Sequence, residues 1–143
     1  MYFSDLRTMI KSILIFGLLL YFQSLYANNT ASWKKSQVSE NEHYSVDLMC
    51  KHPPTLGGFL PCSLVLSDNS NPISNAIIKI EGGMPEHHHG LPTSPTISWD
   101  SEKEVHIING LKFSMPGAWQ LKFLIEKTDK LPRDIVTFNF VID

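Results

Sequence analysis

Cysteine is scarce in this chain, runs of like charge are absent, and a single stretch is long and apolar enough to stand out. Only Cys50 and Cys62 are present, so at most one bridge can form. Twelve Lys and Arg against fourteen Asp and Glu give a formal net charge of −2. With no basic stripe and no block of one sign, nucleic acid and anionic lipid are poor candidates for partners. Catalytic signatures are missing as well. There is no Gly-x-Ser-x-Gly elbow, no His-Glu-x-x-His, no phosphate-binding glycine loop and no carboxylate pair that spacing would bring together. Neither an enzymatic activity nor a small-molecule substrate is therefore expected. After residue 27 no segment has the pattern of an amphipathic helix, and no second apolar run could span a membrane.

The one apolar run lies at the start. Arg7 and Lys11 supply a positive region, 12–22 is apolar, and Ala27 is a small residue at a cleavage position. This is the pattern of a secretory signal peptide over 1–27. An uncleaved N-terminal anchor is the alternative, and an exported, periplasmic chain is expected in both cases. Removing 1–27 leaves about 115 residues, the size of one ordinary domain. Residues 28–42 are polar without a period and read as a flexible lead-in. The domain is expected over 43–143.

Within it, apolar residues recur at every second position. The period marks strands at 43–50, 59–66, 76–80, 96–99, 104–108, 119–126 and 134–142. Gly, Pro, Asn and Asp punctuate the gaps every eight to twelve residues. Pro61 inside the second run argues for an edge position or a bulge. His106 lies between Val105 and Ile107 and is expected to face solvent. His52, in the turn after the first strand, reads as a surface loop histidine. About seven short strands without a helix indicate an all-β, immunoglobulin-like antiparallel β-sandwich preceded by the signal segment. Cys50 and Cys62 fall at the end of one strand and early in the next. In an oxidising compartment they are expected to bridge; two thiolate metal ligands are the alternative.

One loop is too rich in chemistry to pass as a connection. After the run 76–80 the chain reads Gly82-Gly83-Met84-Pro85-Glu86-His87-His88-His89-Gly90-Leu91-Pro92-Thr93-Ser94-Pro95. Pro and Gly forbid a helix interior here, so a strand passes into a stiff, shaped loop. A second stretch, Leu111-Lys112-Phe113-Ser114-Met115-Pro116-Gly117-Ala118-Trp119, repeats the Met-Pro pair just before another strand. The expectation is that the two Met-Pro corners meet, with the histidines beside them.

Together these two stretches resemble the YtkA-like and FixH-like group of small exported bacterial domains, over most of the chain from about Tyr44 onward. The resemblance implies an immunoglobulin-like sandwich on the outer side of the bacterial inner membrane. It also implies a link, seen for some relatives, with copper handling or with assembly of respiratory oxidases. The group tends to show His-Gly-His where this chain has His87-His88-His89, so the middle histidine is the departure. The Cys50/Cys62 pair is not a feature associated with the group.

Thioether sulfur is soft and imidazole borderline, a donor set that suits copper and suits calcium or magnesium badly. His87 and His89 are two apart and point the same way in an extended segment. Met84, His87, His89 and Met115 are accordingly the candidate copper ligands, with Glu86 as a partner that fixes a histidine tautomer. The competing reading makes Met84 and Met115 core fillers and the histidines a solvated surface. On that reading the domain is a structural or interaction module that docks on a membrane or periplasmic protein partner.

Overall fold

Apolar residues at alternate positions build two sheets whose inner faces meet. The computed structural model describes residues 33–69, 71–126 and 128–143; the expected signal segment lies outside them. In chain order the elements are β1 (Trp33–Val38), β2 (Ser45–Cys50), β3 (Cys62–Asp68), β4 (Asn71–Pro72) and β5 (Ile78–Met84). A 3-10 turn (Pro85–His87) follows, then β6 (His89–Gly90), β7 (Thr96–Asp100), β8 (Val105–Asn109), β9 (Gly117–Ile125) and β10 (Asp134–Ile142). No α-helix occurs among the described residues.

The first sheet runs β1-β2-β3-β8-β7, with β4 folded back on β3; the second runs β10-β9-β5-β6. Every pairing is antiparallel. The order β2-β3-β8-β7 opposite β10-β9-β5 is the ABED/GFC order of the immunoglobulin constant-type sandwich, so the expected fold class is observed. Val46, Leu48, Leu64, Leu66 and Ile108 from the first sheet face Trp119, Leu121, Phe123, Ile125, Val136 and Phe138 from the second, all buried. Phe113 fills one end of this core, edge-on to both Trp119 and Phe140 with ring centroids 5.0 and 5.3 Å apart.

Three expectations are corrected. The stretch expected as a flexible lead-in contains β1, which adds an edge strand beside β2. Its register is held by polar cross-strand pairs rather than an apolar period: Lys34 reaches Asp47 at 2.9 Å, and the Ser36 hydroxyl donates to the same carboxylate. Trp33 is half-buried and meets Phe140 edge-on at 6.3 Å. Pro61 does not mark an edge, because β3 begins one residue later and lies inside its sheet; the Pro61 carbonyl accepts the Lys51 N–H. His106 faces the core, with Val105 and Ile107 outward. Its Nε2–H donates to the Ile73 carbonyl at 2.8 Å and its ring meets Trp99 edge-on. Burial pushes its pKa below the ordinary histidine value, and the bond to Ile73 offsets part of that shift. The imidazole is thus a satisfied, neutral part of the core.

Cys50 and Cys62 are direct cross-strand neighbours and form a disulfide, with Cα atoms 4.1 Å apart. The alternative of two thiolate metal ligands falls. The bridge closes the finger 51–61 at its root, and a loop of this length contributes about 3 kcal/mol in the chain-entropy account. Trp33, Cys50, Cys62, Ile108 and Ile97 form one row across the first sheet. The loops beyond that row gather at one end of the sandwich. The Gly57 and Leu60 N–H groups donate to the Phe113 and Leu111 carbonyls, and the Thr93 hydroxyl donates to the Gly110 carbonyl.

Candidate functional site

The histidine loop grows out of β5. Gly82 and Gly83 pair with Leu121 and Gln120 of β9, and β5 ends at Met84. Pro85 then occupies the first position of the 3-10 turn, where its missing N–H costs nothing. His88 closes the turn in the left-handed conformation, φ 53° and ψ 30°, and its N–H reaches back to the Pro85 carbonyl. His89 and Gly90 return as β6, opposite Met84 and Gly83. The turn places His87 and His89 on one side. Their rings are parallel to within 15°, with centroids 6.4 Å apart, and both side chains are exposed.

The two Met-Pro corners do meet. The Met84 methyl lies against Gly117, the residue after Met115-Pro116, so closely that a Cβ there would stand 2.7 Å from it. Gly117 has φ +122°, a conformation that glycine adopts freely. The Met115 carbonyl accepts the Trp119 indole N–H at 2.9 Å, which ties the second corner to β9. The four candidate ligands are not alike, however. Met84 is buried, its side chain part of the core, whereas Met115 is half-buried against the core edge. Glu86 is exposed and holds neither ring by a hydrogen bond among the described residues. Nor is any group of three or more His, Cys, Asp and Glu side chains placed to hold a metal ion among them.

The left-handed conformation of His88 is one that glycine adopts without steric cost. A side chain there costs about 1–2 kcal/mol, against roughly 0.5–1 kcal/mol for the extra chain entropy of glycine. His88→Gly should therefore leave the domain as stable or raise stability by up to about 1 kcal/mol. Urea denaturation of the two proteins checks this, and a loss of stability in the variant would show that His88 makes a contact that outweighs its backbone strain.

Sequence reading missed a second constellation, at the opposite end of the sandwich. Asp134 is fully buried at the start of β10. It accepts the Asn41 backbone N–H at 3.1 Å, the Asn41 amide at 2.9 Å and the Ile135 N–H at 2.8 Å; His43 Nδ1 lies 3.0 Å away. Burial alone would raise its pKa. Hydrogen bonds from the Ser39 hydroxyl, Ile135 and Asn41 overcome that and bring it to about 2. His43 borders an open cleft of about 340 Å³ shared with Glu42, Tyr44, Ser45, Asp68, Asn69 and Pro132. The partners are 91 residues apart in the chain, and no local signal joins them.

Fold and loop chemistry together define a small all-β sandwich domain that carries its distinctive side chains on the loops of one end. The chain belongs to the YtkA-like family, whose model matches residues 38–123, a span that holds both Met-Pro corners and the histidines. No curated protein and no solved structure matches it.

Proposed function

We propose that this domain is an exported, periplasmic binding module, not an enzyme, that holds a copper ion at the histidine loop and serves copper handling or the assembly of a respiratory oxidase. The observation that carries the reading is the pairing of His87 and His89. A ring nitrogen binds such an ion at about 2 Å, along a lone pair that lies in the plane of the ring. With centroids 6.4 Å apart and both rings exposed, side-chain rotation can turn a nitrogen of each ring toward a shared ion while the loop backbone stays as it is. Met115, half-buried at the core edge, is the more accessible of the two thioethers. Met84 would have to leave the core to bind the ion, and acts as the packing piece that joins the two corners. A soft, monovalent copper ion fits imidazole with thioether better than a hard cation does. Glu86, exposed beside His87, would accept a ring N–H and so fix the tautomer that leaves the other nitrogen for the ion.

Titration of the purified chain with Cu(I) against a competing chelator tests this. The wild type should take up one equivalent, and His87→Ala/His89→Ala should weaken binding by roughly a hundredfold or more while the melting temperature is kept. Met115→Leu should weaken it less, and Met84→Leu should leave affinity in place. Equal binding by the wild type and the double histidine variant would overturn the copper reading.

A further inference from the structure

The finger 51–61 has a design that the histidine loop does not explain. Its root is stapled by Cys50–Cys62, and Leu60 is buried. One flank is hydrogen-bonded along 111–113, where Phe59 bridges to Lys112. On this fixed support stand Leu56 and Phe59, 42 % and 67 % exposed. Exposed apolar side chains gathered on one fixed loop mark a contact surface more than ones scattered singly do. The other exposed ones, Val38, Ile77 and Val141, lie in or beside strands. Between the cysteines there is no Asp or Glu; the finger carries Lys51 and His52, and the Lys112 ammonium stands 5.9 Å from the Phe59 ring centroid.

The position of the finger says what covers it. Trp33, where the described fold begins, lies directly opposite Cys50, so the chain enters the sandwich at the finger's own end. Only residues 23–32 separate Trp33 from the apolar run 12–22, at most about 35 Å of extended chain. Kept on the chain as an uncleaved anchor, a run with the composition of 12–22 partitions into lipid and brings the finger end within that reach of a bilayer.

We infer that the finger is a membrane-contact element: Leu56 and Phe59 enter the interface of a phospholipid bilayer, and Lys112 lies at headgroup level. The attraction is apolar and local, in keeping with a net charge that offers no general pull toward anionic lipid. Because the disulfide and the 111–113 flank already hold the finger, little chain entropy is lost on contact. The inference stands apart from the copper reading, since neither Leu56 nor Phe59 belongs to the histidine loop.

Full-length chain carrying Phe59→Trp, mixed with phosphatidylcholine vesicles, tests it, with the wild-type signal of Trp33, Trp99 and Trp119 subtracted. The added indole should lose at least roughly half its emission when the vesicle lipids are brominated, and vesicles should shield it from aqueous iodide. Leu56→Asp in that background should restore access of iodide with no change in melting temperature, because the position is exposed. The N-terminal run brings every variant to the vesicle, so the reading reports the finger alone. An added indole that iodide reaches equally with and without vesicles would overturn the inference. So would shielding that grows with protein concentration in the absence of lipid, which would assign the face to a second copy of the chain.

Discussion

Asp134→Ala should destabilise the domain by roughly 4 kcal/mol at neutral pH, because it removes a buried anion on which several donors converge. The Asn41 and Ile135 N–H groups, the Asn41 amide and the Ser39 hydroxyl all converge on this carboxylate. They pin the turn between β1 and β2 to the start of β10, and so join the edge of one sheet to the edge of the other. The pH dependence follows from the depressed pKa. The folded carboxyl titrates at about 2, against 3.8 for its ordinary value. Its contribution is therefore complete above about pH 4 and is lost as pH falls toward 2, a total of about 2 kcal/mol. Urea midpoints of wild type and variant, taken from pH 7 down to pH 2, should converge by that amount. A gap that stays constant over the whole range would mean that the charge on Asp134 contributes nothing.

Gly83→Ala should cost roughly 3 kcal/mol, which lowers the melting temperature by about 12 °C for a domain of this size. A Cβ at Gly83 would stand 2.1 Å from the His89 carbonyl oxygen and 3.0 Å from the Gly90 Cα. Both are backbone atoms, so relief requires β5 and β6 to part, and the histidine turn moves with β6. Gly90→Ala is the internal control: a Cβ there meets nothing nearer than the Gly82 carbonyl oxygen at 3.9 Å. It should be tolerated within about 1 kcal/mol. Melting curves of both variants, with the ring resonances of His87 and His89 followed by NMR, read the two effects together. If Gly83→Ala melts within a few degrees of wild type, the hairpin is softer than its geometry implies.

Most of the sandwich was legible in the chain because its inner faces are apolar at a strict period of two. Trp119, Leu121, Phe123 and Ile125 announce β9, and the alternation from Tyr44 to Cys50 announces β2. β1 was not legible, since its partners are the carboxylate of Asp47 on the neighbouring strand and a ring on β10, contacts that leave no apolar period in the sequence. His106 was assigned to the wrong face for a related reason. In Val105–Asn109 both phases of the alternation are equally apolar if histidine is allowed inside, and only the carbonyl of Ile73 makes that position acceptable. At the histidine loop, the meeting of the Met-Pro corners followed from the echo in the sequence. The burial of Met84 did not, because it depends on the β5–β9 register that lays its methyl on Gly117. The Asp134 centre joins residues from opposite ends of the domain and has no trace in local spacing.

The disulfide also has a bearing on the order of events during folding. Cys50 and Cys62 lie twelve residues apart across a single hairpin. The pairings that close the sandwich are far less local, since β3 waits for β8 and β5 for β9. Short loops close early and long ones late. Oxidation of this pair can thus lock the register of β2 against β3 while the remaining strands are still emerging, and the first hairpin then serves as the template on which the rest of the first sheet is laid.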